Sequence, residues 1–213
     1  MIIDISGVEV HLLPQKVLLL HTENILIISD LHLGKVEHFR ASGIGLPQGA
    51  TEKTLLLLDE LTQKWMPSQI IFLGDLFHSR KNTSYDLFDS WRTQYPELSM
   101  ILVNGNHDIM TSDDYLGLGL EVCHEYHIKK LWLTHEPQQI SKDETRFNLA
   151  GHIHPGIKLK GKGKQSLTLP CFWFGDRQGL MPAFGYFTGK HLVEINENNT
   201  IFAIANDQII RIK

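Results

Sequence analysis

Ile25-Leu26-Ile27-Ile28-Ser29-Asp30-Leu31-His32 is the stretch on which the fold of this chain turns. Its four consecutive apolar residues fit a short strand covered on both faces, and that strand runs straight into a carboxylate and an imidazole. Working outward, the same design recurs. Ile70–Leu73 ends at Gly74-Asp75, with His78 three residues on, and Met100–Val103 ends at Asn106-His107-Asp108. Leu131–Thr134 ends at His135, and Phe147–Ala150 at His152-Ile153-His154. Open α/β sheets place ligands at the carboxyl ends of their strands, so the five endings are predicted to converge on one crevice.

The segments between these strands set the layers. Apolar residues at 55, 58, 61 and 65 keep helical spacing from Thr51 to Trp65, and Pro67 stops the helix. Tyr85, Phe88, Trp91 and Tyr95 predict a second helix, ended by Pro96. Val8–Leu13 and Val17–His21, split by Pro14-Gln15, read as a hairpin, and Arg40 to Gly49 as a Gly-rich loop. The C-terminal part reads as consecutive strands: Ile157–Leu159, Ser166–Leu169, Ala183–Phe187, His191–Ile195, Ile201–Ala205 and Gln208–Ile212. Asn198-Asn199 and Asn206-Asp207 are hairpin-turn candidates. Early strands alternate with helices and late strands follow one another, which predicts α/β layers with two sheets. No linker or repeat divides residues 1–213, so one domain is expected.

Bulk properties narrow the function. Hydrophobic residues make up 42% and charged residues 21% of 213, as in ordinary globular proteins. No apolar run of about 18 residues is present, so no membrane span is expected. Cys123 and Cys171 lack a C-x-x-C companion, which argues against a thiolate zinc site and for a reducing, cytoplasmic setting. The net charge of −4 argues against a protein that coats nucleic acid by electrostatics alone, while leaving room for a local basic patch. Twelve His residues are many for this length, and their positions carry the argument.

Taken singly, each ending is ordinary. Asp-x-His is commonly a capped turn, Gly-Asp a common strand end, and Asn-Gly-Asn-His-Asp fits a hairpin turn. Two imidazoles two residues apart, as at His152 and His154, are more specific. Together the endings point to a metal site. Left unpaired, that many buried polar groups would each cost about 1–3 kcal/mol, and a shared cation removes the cost.

These motifs resemble the calcineurin-like metallophosphoesterases, whose D-x-H, G-D, G-N-H-D/E, lone His and G-H-x-H pattern is matched in order. Asp30/His32, Gly74-Asp75, Gly105-Asn106-His107-Asp108, His135 and Gly151-His152-Ile153-His154 carry the match. SDLHLGK, GDLFHSR, THEP, LAGHIHP, LPCFWF and MPAFGYFTG further resemble the bacterial branch associated with a DNA ligase and a helicase and with DNA repair. Lys190 stands where that branch is expected to have a small residue. The resemblance implies an αββα sandwich of two mixed β-sheets flanked by helices, with the metal site at the C-terminal ends of the core strands. It also implies two divalent metal ions sharing Asp75, one held by Asp30, His32 and His154, the other by Asn106, His135 and His152. His107 is left off the metals, facing the phosphate.

A donor set of imidazole, carboxylate and amide without thiolate favours manganese, iron, zinc or cobalt over calcium. Two such ions about 3.5–4 Å apart can clamp an in-line displacement, with a metal-bridging hydroxide as nucleophile. The expected activity is phosphodiester hydrolysis, as in a nuclease acting on DNA or RNA. Hydrolysis of a nucleotide or lipid-linked pyrophosphate is the alternative, and a non-catalytic scaffold of the same fold a further one. His107 is the expected acid at the leaving oxygen, with Asp108 orienting its ring.

Around the rim, Arg40, His78 and Arg80 are candidate substrate contacts, and Lys158, Lys160, Lys162 and Lys164 either hold a polyanion or protect a strand edge. His11, His21, His38, His124, His127 and His191 lack ligand spacing and are expected on the surface or in hairpins. Phe172, Trp173, Phe174, Phe184, Tyr186 and Phe187 read as core aromatics of short strands, with base stacking as the alternative.

Overall fold

The computed structural model describes residues 1–41, 43, 49–161, 163 and 165–212. Its first half contains strands β1 (Ile2–Ile5), β2 (Val8–Leu13), β3 (Val17–Leu20), β4 (Ile25–Ile28), β5 (Gln69–Phe72), β6 (Ser99–Val103) and β7 (Glu121–Cys123). Helices α1 (Lys35–Ala41), α2 (Ala50–Trp65), α3 (Thr83–Arg92) and α4 (Ser112–Gly117) lie among them. The second half contains β8 (Glu125–Ile128), β9 (Leu131–Thr134), β10 (Phe147–Ala150), β11 (Pro155–Lys160) and β12 (Ser166–Phe174). It closes with β13 (Gln178–Leu180), β14 (His191–Leu192), β15 (Thr200–Ala205) and β16 (Gln208–Arg211). No helix among the described residues is long and apolar enough to cross a membrane.

Two mixed sheets result, as expected. In the first, β1 to β7 lie side by side in chain order, antiparallel up to β4 and parallel from β4 to β7. The second runs β14-β11-β12-β13-β10-β9-β8, with β15 and β16 continuing from β12. Alternation along the strands assigns side chains to two layers. Leu26, Ile28, Ile70, Phe72, Met100 and Leu102 pack against Leu55, Leu58 and Leu61 of α2 and Phe88 and Trp91 of α3. Their neighbours Ile25, Ile27, Ile71, Leu73, Ile101 and Val103 face Leu131, Leu133, Phe147, Leu149, Phe172 and Phe202 of the second sheet. The central strands are therefore covered on both faces, which is why they read as unbroken apolar runs. Helical cover among the described residues comes from 35–117. Beyond the second sheet lies a small cluster of Ile157, Cys171, Ile201 and Ala203 instead.

Local chemistry explains the end of α2 and the start of α3. The C-cap Met66 takes φ 44°, returns its N–H to Thr62 and is followed by Pro67. Asn82 caps α3, its side chain accepting the Ser84 N–H at 2.8 Å.

Several expectations are corrected. Ala183–Phe187 is no strand: Phe184 and Gly185 donate their N–H groups to Ser29 and Asp30, outside any ladder, and a turn follows. Tyr95 lies beyond α3, and only His191–Leu192 of the 191–195 segment pairs, with β11. Asn198-Asn199 is no hairpin turn, because β14 and β15 pair with different strands, whereas Asn206-Asp207 does close the β15–β16 hairpin. Arg40 sits on α1, a helix too short for its periodicity to be read, rather than in a loop. Most of the Gly-rich stretch, 42 and 44–48, lies outside the described residues.

Candidate metal centre

Five strand ends, β4, β5 and β6 from one sheet and β9 and β10 from the other, meet in one place. Ligand atoms of Asp30, His32 and His154 lie within 4.8 Å of one another, and so do those of Asp75, His135 and His152. In the first group His154 Nε2 is 3.1 Å from Asp30 Oδ1 and 3.3 Å from His32 Nε2. In the second, Asn106 Oδ1 lies 3.0 Å from His135 Nε2 and 2.9 Å from His152 Nδ1. Asp75 stands between them, with Oδ2 3.7 Å from His32 Nε2 and Oδ1 3.4 Å from His135 Nε2.

The donor chemistry fits cations. His135 Nδ1 donates to the Leu73 carbonyl at 2.8 Å, which in the neutral ring leaves Nε2 as a bare lone pair. That lone pair faces the Asn106 side-chain oxygen at 3.0 Å, an arrangement that a shared cation satisfies. Donors sharing a metal at about 2.0–2.2 Å stand roughly 3–3.5 Å apart, close to the 3.1 and 3.3 Å from His154 to Asp30 and His32 and the 3.2 and 3.4 Å from His135 to His152 and Asp75. Burial, with Lys35 and neighbouring imidazoles adding repulsion, pushes His32 down to about 2, so its ring stays an acceptor.

The backbone here is strained in a common way. Asp30, His32, Asp75, His152 and His154 all have positive φ, between 48° and 63°. Left-handed backbone is sparsely populated by such residues and persists where surroundings over-determine it. Two glycines make the approach possible. A Cβ on Gly151 would come within 1.9 Å of Ser29 Oγ, and one on Gly74, at φ +74°, within 2.2 Å of His135 Nδ1. The buried Asp30 carboxylate also accepts the Ser29 hydroxyl and the His152 N–H.

His107 belongs to neither group. Its N–H donates to Asp75 Oδ1 at 2.9 Å, and its ring lies 5.5 Å from that of His32 and 4.8 Å from that of His78. Asp108 does not orient that ring. Its carboxylate accepts the backbone N–H groups of Asp75, Gly105 and Leu76 at 2.7, 2.8 and 2.9 Å, which ties two strand-end loops together. Burial, then the Asp75 charge, pushes its carboxyl up to about 6 against those hydrogen bonds.

The rim differs from the sequence reading. His78 reaches the site, packed against His32, His38, Phe39 and His107, and burial lowers it to about 4. His38, set aside for lacking ligand spacing, is therefore a neighbour of the centre. Lys35 is another residue missed: burial lowers it, while Asp75 and Asp30 lie near enough to oppose the shift. Its position three residues after His32, on the same short segment, was the available signal. Arg40 and Arg80 are exposed, Arg40 two positions past His38 and so on another side of α1. Lys158 and Lys160 are exposed on β11, about 13 and 20 Å along the strand from His154. Lys162 and Lys164 lie outside the described residues. Phe172, Phe174 and Phe184 are core, but Tyr186 and Phe187 are 53% and 43% exposed.

A model described as calcineurin-like phosphoesterase matches residues 23–200. The crystal structure of Pseudomonas putida nuclease MPE is similar with TM-score 0.83 and 29% identity, over 99% of this chain and 99% of that one. Yfce, a phosphoesterase from E. coli, gives TM-score 0.46 and 17% identity over 87% of this chain and 96% of that one. No curated protein matches.

Proposed function

The chain belongs to the calcineurin-like phosphoesterase family, and from that premise we propose that it is a dinuclear metal-dependent phosphodiesterase that cuts nucleic acid. The observation that carries this reading is Asp75, whose two carboxylate oxygens face two separate imidazole groups. Asp30, His32, His154 and Asp75 would hold one divalent ion, and Asp75, Asn106, His135 and His152 the other. Bound there, the ions supply Lewis acidity and a nucleophile at neutral pH. His107, unclaimed by either group, donates the proton to the leaving oxygen. Asp108 is a positioning residue that fixes the Asp75 and Gly105 backbones, and His78 packs against the His107 ring.

The nucleic-acid part of the reading draws support from the likeness to a nuclease over nearly the whole of both chains. The sequence motifs extend it to DNA repair beside a DNA ligase and a helicase, in the cytoplasm, with manganese among the acceptable metals. We read residues 1–213 as one domain, because both sheets contribute to one centre and share one core. The test is to strip the protein with chelator and reload it with manganese, zinc, iron or cobalt. Single-stranded DNA, duplex DNA, nucleotide pyrophosphates and an aryl phosphodiester are then offered in turn. Polynucleotide cleavage that returns with metal is expected. Turnover of pyrophosphates with intact polynucleotide would overturn the nuclease reading, and turnover without metal would overturn the centre itself.

A further inference from the structure

The turn from Gly185 to Thr188 is held against the metal centre and presents aromatic surface to solvent. Phe184 and Gly185 donate N–H groups to the Ser29 and Asp30 carbonyls at 2.8 and 3.1 Å, and the Thr188 hydroxyl closes the turn on Gly185. A Cβ at Gly185 would stand 2.3 Å from the Leu31 carbonyl, so the turn lies directly on the Asp30–His32 loop. Tyr186 and Phe187 are adjacent, and both are exposed. On one side a small cavity joins Tyr186 to His154, Lys16 and Lys190. On the other a second joins Tyr186 and Phe187 to His32 and Lys35.

Lys16 donates to the Phe184 carbonyl at 3.0 Å and is close enough to Lys190 for the two charges to repel. Among the described residues none of Lys16, Lys35 and Lys190 forms an ion pair. Two neighbouring ammonium groups without a carboxylate, lining a cavity with a candidate metal ligand, match an anion. Aromatic faces exposed beside it match a base, and such faces reach bases when these are unstacked, as in single strands.

We propose that this turn is a nucleotide subsite, where Tyr186 and Phe187 stack a base of a single-stranded polynucleotide and Lys16 and Lys190 hold a phosphate next to the scissile one. The subsite rests on the polynucleotide phosphodiesterase reading above. The experiment compares metal-loaded wild type, the Tyr186→Ala/Phe187→Ala double variant and Lys190→Gln. Substrates are single-stranded oligo-dT, an abasic oligonucleotide of the same length and an aryl phosphodiester, each at several salt concentrations. The double variant is expected to raise KM for oligo-dT about tenfold or more beyond any change on the aryl diester, with that excess gone on the abasic strand. Lys190→Gln is expected to remove about 0.7 from the slope of log affinity against log salt. Equal changes on all three substrates, or an oligo-dT KM unmoved in the double variant while wild type cuts DNA, would overturn the subsite alone. A wild type that hydrolyses the aryl diester but neither binds nor cuts oligo-dT would overturn the polynucleotide reading, and the subsite with it.

Discussion

The Asp108 carboxylate accepts the Asp75 backbone N–H at 2.7 Å, and through the same oxygen the Gly105 N–H at 2.8 Å. One buried acid thus fixes the residue between the two ligand groups and the loop that carries Asn106 and His107. Asp108→Asn leaves an amide nitrogen facing backbone donors, so at least one buried N–H loses its acceptor, at about 1–3 kcal/mol. The expected result is a melting temperature lower by roughly 2–12 °C and weaker metal binding, with turnover largely restored at saturating metal. Lost turnover at unchanged stability and metal affinity would instead put Asp108 in the chemistry.

Asp75→Asn tests the shared ligand. An amide offers no negative charge to offset two cations, so at least one metal per chain should be released and activity should fall by several orders of magnitude. Metal analysis after desalting, with both ions retained and turnover near normal, would contradict the bridge.

For His107→Ala the expectation is the reverse: metal content stays, while kcat drops about 10²–10⁴-fold, the usual worth of a positioned proton donor. The drop should shrink on diesters with good leaving groups, which need little protonation. Metal loss would make His107 a ligand.

The left-handed backbone at His152, φ 63°, predicts a trade between stability and function. His152→Gly relieves the strained backbone and removes one of the facing lone pairs. Metal-free variant should melt no lower than metal-free wild type, whereas added metal should stabilise wild type much more. A metal-free variant that melts well below wild type would show that the imidazole stabilises the fold without a cation.

Lys158 and Lys160, exposed on one face of β11, test the reach of a polynucleotide. Changing both to Gln should flatten the salt dependence of single-strand binding by about 0.7 per lost phosphate contact. An intact slope with increased aggregation would favour protection of the strand edge.

The strands that build the centre were legible because their apolar runs and polar endings are local. Ile25–Ile28, Leu131–Thr134 and Phe147–Ala150 fall where the sequence puts them, and the period of α2 is equally plain. α1, α4, β1, β7, β8 and β13 span between three and seven residues, too few for periodicity to stand out. The roles of side chains outside those endings depended on which loops meet. Asp108, next to His107 in sequence, is drawn instead to backbone donors from the β5 end, because β5 and β6 lie side by side. His38 and His78 become neighbours because α1 returns beside the β5 loop, and no spacing rule spans that distance. Tyr186 and Phe187 resemble core aromatics in composition. They end in solvent because Phe184 fills the core and Gly185 binds the Asp30 loop, leaving the next two residues on the outside of the turn. The sequence by itself determined which residues end the buried strands, since that follows from hydrophobicity over four or five positions. The packing of two sheets decided which of those ends face one another and what surrounds them, since that follows from contacts between residues more than a hundred positions apart, such as His32 and His154.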